Sequence, residues 1–288
     1  MRRPSPSGGR LARVQSPSVP PDRAAESGTN GGREAVQRWR LVLRRDSLAG
    51  ASGQREQLAE WEASLAASGL PIAGLDAPKP RLRVVTAAPL SAGTPGEAEL
   101  ADVFLVERLP GWRVREALVA ALPAAYTLMD LFDVWLGESP LPGRVAASGY
   151  RAVVRPPVGI DRVAAGAQGL LAAQALPRER RKGESTVSYD LRPFLAALDV
   201  EAGPDGVAVI RMTLRHDPAK GVGRPDETLA ALAEASGEGL EAASLVRERL
   251  VLAEPAPPEP APPRGPRRLP PVRSGSDPRH RPPRAGGH

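Results

Sequence analysis

The sequence contains no cysteine among its 288 residues. It can therefore form no disulfide bond, no thiolate nucleophile and no iron–sulfur cluster held by its own side chains. Histidine is nearly as scarce, because two of the three histidines, His280 and His288, lie close to the carboxyl terminus. Zinc normally needs clustered Cys and His, so the sequence predicts no metal site and no cofactor.

Long apolar runs are also lacking. The longest, from Ala117 to Met129, is interrupted by Pro123 and is shorter than the roughly 20 residues that a membrane-spanning helix needs. No amino-terminal stretch has the apolar centre of a signal peptide, although Arg2 and Arg3 resemble its charged start. These absences predict a cytoplasmic protein that does not enter a membrane.

The chain is rich in proline and arginine at its two ends. Residues 1–32 have almost no large apolar side chain, and residues 254–288 contain 12 Pro and 7 Arg. Such segments bury too little apolar surface to fold, so both are predicted to be disordered tails. The tails carry net charges of +3 and +4, which leaves −1 for residues 33–253. The high pI of about 10.4 is therefore a property of the tails.

Apolar periodicity divides the central part into two similar halves. Trp39, Leu41 and Leu43 alternate with polar residues and predict a strand, whereas the spacing of Leu58, Trp61 and Leu65 predicts a helix. Continued along residues 33–137, these patterns give the order β-α-β-β-α-β, and residues 149–253 repeat it after a linker at 138–148. We therefore predict an α+β fold of two tandem ferredoxin-like modules with antiparallel sheets.

Three segments resemble a known family. They are PKPRLRVVTAAPLSAGTPGEAELADVFL (78–105), RRKGESTVSYDLRPFL (180–195) and GVGRPDETL (221–229). In order and spacing they are similar to the radical SAM-associated family, which carries the DUF2344 domain of unknown function. The resemblance covers residues 37–253. Members are fused to a radical SAM enzyme or encoded beside one, so the resemblance implies such an enzyme as a partner. Because that enzyme needs three cysteines for its cluster, the cluster must lie on a separate chain.

The chain departs from the family pattern at two places. Where members have Ser-His-Leu-Asp at the start of the first helix, this chain has the Gly-rich segment 49–53. Where they have Gly-Phe-Asn-Pro-His-Pro-Arg, it has Gly74-Leu75-Asp76 and then, after Ala77, Pro78-Lys79-Pro80-Arg81. The chain is therefore a divergent copy, and any chemistry that uses the family's His and Asn is lost.

Basic residues supply most candidate sites for a partner or an anion. Arg178, Arg180, Arg181 and Lys182 lie in a predicted loop where they could contact phosphates, although a solvated loop is the simpler interpretation. Asp190 and Arg192 are two apart and could pair with each other or clamp an anion. The remaining candidates are Lys79, Arg81 and Arg224. Arg224 lies in Gly221–Asp226, which lacks the spacing of a phosphate loop and fits a helix start better.

Acidic residues and one histidine complete the set. Glu97 and Glu99 lie on the same face of a predicted strand, and Asp102 lies on the other face. A pair of carboxylates could act in acid–base chemistry or bind Mg²⁺, or the charges could protect a sheet edge from aggregation. His216 closes a strand and could be a base or an ordinary turn residue. The Trp and Tyr residues, for example Trp61 and Trp135, are interpreted as packing residues.

Three functions remain open at this stage. The first is a non-catalytic accessory or substrate-presenting partner of a separately encoded radical SAM enzyme. The alternative is an RNA-binding or RNA-processing protein, since tandem ferredoxin-like modules also occur in such proteins. An independent enzyme using Asp190, Arg192 or the glutamates is the third. The residues do not identify a catalytic group, a reaction or an oligomeric state.

Overall fold

The computed structural model describes residues 33–47, 54–91, 93–155, 159–182, 185–237, 239–240 and 242–254. Both predicted tails lie outside these residues, apart from Glu254, as does the Gly-rich segment 49–53. The described helices are α1 (Gln54–Ala67), α2 (Gly111–Ala121), α3 (Leu141–Arg144), α4 (Ile160–Ala172) and α5 (Pro225–Ser236). The strands are β1 (Gln37–Arg45), β2 (Val84–Thr86), β3 (Gly96–Leu105), β4 (Tyr126–Val134), β5 (Val145–Val154), β6 (Pro177–Lys182), β7 (Ser185–Asp190), β8 (Leu195–Ala202), β9 (Ala208–Asp217), β10 (Gly221–Val222) and β11 (Ala242–Leu252).

The first half of the sheet is centred on β1. This strand pairs antiparallel with β3 on one side and with β4 on the other, and β3 pairs antiparallel with β2. The strand order is therefore β4-β1-β3-β2. Trp39, Leu41 and Leu43 of β1 are buried in one core cluster with Trp61 of α1 and Leu118 of α2, so the alternating residues of β1 face the two helices.

The second half has the same strand order. β5 pairs antiparallel with β11 and with β9, and β9 pairs antiparallel with β8, which gives β11-β5-β9-β8. Its core cluster joins Ala152 and Ile210 of the sheet to Val163 of α4 and Leu232 of α5. The short strand β10 extends β9 at its end.

One parallel contact joins the halves into a nine-stranded sheet. Arg247 of β11 is registered with Gly96 at the start of β3, and we call this contact the seam. The α+β class predicted from the sequence is confirmed as a mixed fold with a large, mostly antiparallel sheet. β5 begins at Val145 after the single turn of α3, so the segment predicted as a linker is partly helix and strand.

The basic run predicted to be a loop is a strand. β6 and β7 form a separate two-stranded antiparallel sheet in which Arg180 is opposite Val187. The run PRERRK has no apolar residue in alternation, which is why its periodicity gave no strand signal. Residues 185–190 form β7.

The sheet face opposite α1 and α2 is covered as well. Ala73 and Val85 pack with Phe104 of β3 in a small cluster, and Ala87, Leu141 and Val145 form another. Side chains before and after β2, together with Leu141 and Val145, therefore cover part of this face of the first half. No helix in the described part of the chain has both the length and the apolar character that a membrane crossing requires.

Candidate functional site

The side chains of Asp190 and Arg192 bind main-chain groups and do not bind each other. Asp190 Oδ1 accepts hydrogen bonds from the amides of Leu176 at 2.7 Å and Arg192 at 3.0 Å. The Arg192 guanidinium donates to the carbonyls of Leu171 at 2.6 Å and Ala173 at 3.1 Å, and to a third carbonyl, at the start of β8, at 3.0 Å. Because the carbonyls at the carboxyl end of a helix lack partners within it, Arg192 caps α4. The pair fixes local structure.

The cations of β6 are partly neutralised. Arg178 donates two hydrogen bonds to the Glu234 carboxylate of α5, at 2.5 and 2.8 Å. The Arg180 guanidinium lies 5.8 Å from the centre of the Tyr189 ring, within the range of a cation–π contact. Burial, and next the Glu227 carboxylate, raise the pKa of the Tyr189 hydroxyl to about 12. The side chains of Arg181 and Lys182 lie outside the described part of the chain.

Lys79 and Arg81 are exposed on a tight loop of the first half. The loop closes where the Arg81 amide donates to the Gly74 carbonyl at 3.0 Å. Gly74 has φ +86°, and a Cβ at this residue would lie 2.0 Å from the Arg81 carbonyl oxygen. Only glycine fits both conditions. The Gly74 that this chain shares with the family pattern therefore has a structural reason.

Arg224 is the residue before α5. Its Nε lies 3.4 Å from Asp226 Oδ1, and its carbonyl accepts the Thr228 amide at 3.1 Å. α5 begins at Pro225, as the sequence predicts. The segment is a helix start whose first turn contains Asp226 and Glu227.

Each of the two glutamates of β3 is bound to an arginine of the other half. The Glu99 carboxylate accepts a hydrogen bond from Nε of Arg247 at 2.8 Å and also binds Nη2 of the same side chain. The Glu97 carboxylate accepts a hydrogen bond from Nη2 of Arg151 at 2.8 Å. Nε of Arg151 donates to Glu248 at 2.7 Å. Arg247 is fully buried, whereas Arg151 is partly exposed. The glutamates thus join the two halves at the seam and are not a free carboxylate pair.

Asp102 is the centre of a buried ionic cluster that the sequence analysis did not identify. Its carboxylate binds the guanidinium groups of Arg38 and Arg40, and all three side chains are less than 10% exposed. Arg40 also binds Glu138 at 3.0 Å, and Glu138 binds Arg144. Burial disfavours the charged form of Arg40, but the bonds to Asp102 and Glu138 outweigh it and raise its pKa. The sequence signal for this cluster is the Arg-x-Arg pattern of Arg38 and Arg40 in β1. The alternation of β1 by itself places these two arginines on a solvent-exposed face.

His216 lies beside the seam and not in an open cleft. Its Nε2 is 2.9 Å from the hydroxyl of Ser148, which is fully buried. Burial, and next the positive charge of Arg247, lower the pKa of the imidazole. A buried serine cannot reach a substrate, so the Ser–His contact does not assemble a nucleophile.

A cavity of about 160 Å³ lies in the first half, between the sheet and α1. Trp61 and Tyr126 line it with their rings edge to face, 5.0 Å between centroids. Glu99 and Thr86 contribute polar atoms to its wall. Among the described residues, no cluster of three or more His, Asp or Glu side chains could hold a metal ion.

Three aromatic residues are exposed near one end of the sheet. Trp61 is buried, as predicted, but Trp135 is 77% exposed, so its interpretation as a packing residue was wrong. Trp112 is 68% exposed and Phe132 is 45% exposed. The sequence pattern could not distinguish Trp135 from a core residue. Trp135 comes directly after β4, an edge strand that ends at Val134, and it is exposed there.

Comparisons with known proteins bear on the family and the fold. The model of the family described as "Uncharacterized protein conserved in bacteria (DUF2344)" matches residues 52–225. No curated protein matches the chain significantly. Among solved structures, the chain is similar to one in a Cbf5-Nop10-Gar1 complex, with a TM-score of 0.40 and 8% identity over 73% of this chain and 49% of that one. It is also similar to one in an archaeal box H/ACA sRNP Nop10-Cbf5 complex, with a TM-score of 0.39 and 11% identity over 73% and 47%.

The present chain thus spans about half the length of the solved chains that it resembles. The family match covers more than half of the sequence and includes the seam residues of β3, the hairpin β6–β7 and the start of α5. The chain therefore belongs to the DUF2344 family of uncharacterized bacterial proteins.

Proposed function

We propose that this protein is a non-catalytic accessory or substrate-presenting partner of a radical SAM enzyme encoded on a separate chain. One observation carries the proposal: the polar core residues that could act as catalysts are engaged in bonds that hold the fold together. Asp190 and Arg192 cap the main chain, and Glu99 is bound by Arg247. The resemblance to radical SAM-associated proteins supplies the partner, and the absence of cysteine requires that the cluster belong to that partner.

We propose further that the two halves are tandem ferredoxin-like modules. The strand orders β4-β1-β3-β2 and β11-β5-β9-β8 support this assignment. In each half the first strand, β1 or β5, lies inside the sheet, as in a split β-α-β unit, and all strand pairs within the half are antiparallel. Two modules of this kind offer two helical layers for contacts with an enzyme and its substrate.

The test is co-production of the full chain with the radical SAM protein encoded nearest to it. We expect the two to co-purify at a fixed stoichiometry and the enzyme's turnover to depend on this chain. Full turnover by the enzyme alone, together with no complex in size-exclusion chromatography, would contradict the proposal. A radical SAM protein from an unrelated operon serves as the matched negative control.

RNA binding is a second candidate, favoured by the hairpin β6–β7. Four cations, Arg178, Arg180, Arg181 and Lys182, lie along one strand of a ribbon that is separate from the main sheet. If this ribbon contacts phosphates, changing Arg180, Arg181 and Lys182 to Ala in the full chain should weaken RNA binding and reduce its salt dependence by about two to three ion contacts. An unchanged salt slope would assign any binding to other parts of the chain.

A further inference from the structure

The cavity between the sheet and α1 reaches from the core to the surface. Leu43 and Ala101 line it from the sheet and are 1% exposed, whereas Thr86 and Pro89 line it and are exposed. Its volume is about 160 Å³, and an apolar cavity of about 150 Å³ can hold a benzene molecule. Pockets for drug-sized ligands begin at roughly 300 Å³. The cavity therefore suits a ligand group of one ring.

Two aromatic side chains in the lining favour a flat ligand group. The rings of Trp61 and Tyr126 meet at 82° with 5.0 Å between their centroids. Trp61 is 6% exposed, so the packing of the core fixes its ring. A planar ring in the cavity can contact both aromatic rings, and such contacts are favourable beyond the burial of apolar area. This part of the lining selects a ring over a flexible chain of the same volume.

The polar part of the lining offers hydrogen-bond acceptors and donors. Glu99 uses one acceptor position on each carboxylate oxygen for Arg247, out of about four that an ionised carboxylate has. A ligand N–H can therefore bond to Glu99 without displacing Arg247. Arg45 is 4% exposed and has contacts of its own in the protein, but a guanidinium has several N–H donors. Arg45 and the Thr86 hydroxyl can thus both donate to a ligand carbonyl.

The charges of the lining favour a neutral ligand. Arg45 and Glu99 have opposite charges, and Arg247 already neutralises Glu99. A cation would lie near Arg45 and an anion near Glu99, and a buried ion without a partner of its own is costly. The wall is also preformed, because Arg247 donates to the carbonyls of Ala88 and Pro89 at 3.1 and 2.9 Å. A ligand therefore binds without first ordering this wall.

We propose that this cavity binds a neutral, single-ring nitrogen heterocycle in which an N–H group lies next to a carbonyl, as in the pyrimidine base uracil. The ring packs on Trp61 and Tyr126. Its N–H donates to Glu99, and its carbonyls accept hydrogen bonds from Arg45 and Thr86. The inference rests on the proposed function for its biological role, because it names the class of group that this chain presents to the enzyme.

Equilibrium binding of uridine to the full chain tests the site. Two control ligands each change one property: 3-methyluridine lacks the N–H, and inosine keeps an N–H beside a carbonyl but has two fused rings. We expect each control to bind at least about tenfold more weakly than uridine. A short single-stranded oligouridylate distinguishes the sources of the base. If it displaces bound uridine, the base comes from RNA, and if it does not, the base comes from a free nucleoside.

Two variants connect uridine binding to this cavity. Ala101→Leu fills the cavity from the sheet and should weaken binding by about tenfold or more. Thr86→Val keeps the shape of the side chain but removes a donor, so binding should weaken by about threefold to tenfold. Thr127→Val changes an exposed threonine of β4 that is not in the lining, and should bind uridine as the unchanged protein does.

Several results would overturn the inference. They are no uridine binding at millimolar concentration, equal binding of uridine and both control ligands, and unchanged uridine binding in a folded Ala101→Leu protein. If thermal unfolding shows that Ala101→Leu does not fold, unchanged binding by Thr86→Val overturns it instead. If the radical SAM enzyme co-purifies but uridine does not bind, the site is wrong and the proposed function stands. If uridine binds with the expected selectivity but no enzyme co-purifies, the site stands and the proposed function fails.

Discussion

Arg247 of β11 donates its Nε to the carboxylate of Glu99 on β3 at 2.8 Å, across the seam where the two halves of the sheet meet. The remaining nitrogens of Arg247 reach the carbonyls of Ala88 and Pro89 at 3.1 and 2.9 Å. One buried side chain therefore binds two segments of the first half, β3 and the stretch that contains Ala88 and Pro89. We therefore expect this buried side chain to stabilise the sheet more than any exposed ion pair does.

The change Arg247→Ala should lower the free energy of unfolding by about 3–5 kcal/mol, because it leaves the Glu99 carboxylate without its cation. Arg211→Ala is the control, since Arg211 is 45% exposed in its pairs with Glu201 and Glu248, and should cost about 0–1 kcal/mol. Urea unfolding measures both. Similar losses in the two variants would refute a special role for the seam.

Asp102→Asn keeps the shape of the buried cluster but removes its negative charge. Arg38 and Arg40 then lack a carboxylate between them, so we expect a loss of about 3–5 kcal/mol. Glu107→Gln, which breaks the exposed pair with Arg33, should change stability by less than about 1 kcal/mol. Thermal unfolding of both variants checks the difference, and a stable Asp102→Asn protein would show that the cluster is dispensable.

The pH dependence of stability should reflect His216. Its pKa is lowered in the folded protein from the usual 6.5, so below pH 6.5 the unfolded chain takes up a proton that the folded chain resists. The free energy of unfolding should consequently fall as the pH drops below 6.5. It should stop falling once the imidazole is protonated in the folded protein as well. Unfolding measured between about pH 5 and 8 should show a flatter profile for His216→Gln. Identical profiles would exclude this residue as the cause.

Asp190→Ala should destabilise the protein by about 1–3 kcal/mol, because two main-chain amides lose their acceptor. Arg192→Ala should have a similar effect through the carbonyls at the end of α4. Asp199→Ala, on the exposed part of β8, is the matched control and should be nearly neutral. If Asp190→Ala abolished a cellular phenotype while the melting temperature stayed unchanged, the residue would be functional.

Gly74→Ala should destabilise by at least about 1–3 kcal/mol, since the residue has positive φ and no room for a Cβ. Gly169→Ala is the opposite case, because Gly169 lies in α4 with nothing within 4 Å of its Cβ position. It should gain up to about 1 kcal/mol from the helix preference of alanine. Melting temperatures that move in the same direction would contradict this reasoning.

The local elements were predictable because their signals are local. β1 alternates apolar and polar residues, and α5 has Pro225 at its start and Gly237 after its end. The helix predicted from Leu58, Trp61 and Leu65 is α1, which ends at Ala67, shortly before Gly69 and Pro71. Each of these signals lies within the element that it specifies or next to its end.

The long-range features could not be read from such patterns. Asp102 is buried with Arg38, which also donates to the carbonyls of the distant residues Glu138 and Ser139. β6 is a strand because β7 pairs with it. The roles of Glu99 and Arg247 depend on two strands 148 residues apart in the chain. Periodicity describes which face a residue is on and not what covers that face.

The seam also bears on the order in which the chain is made. During synthesis the amino-terminal half leaves the ribosome first and can complete its strand order without β11, whereas the second half lacks a strand until β11 has emerged. Arg247 of β11 supplies the buried ion pair between the halves. The nine-stranded sheet therefore cannot be completed until β11 has emerged, and a chain that stops before residue 242 would lack the pairing of β11 with β3.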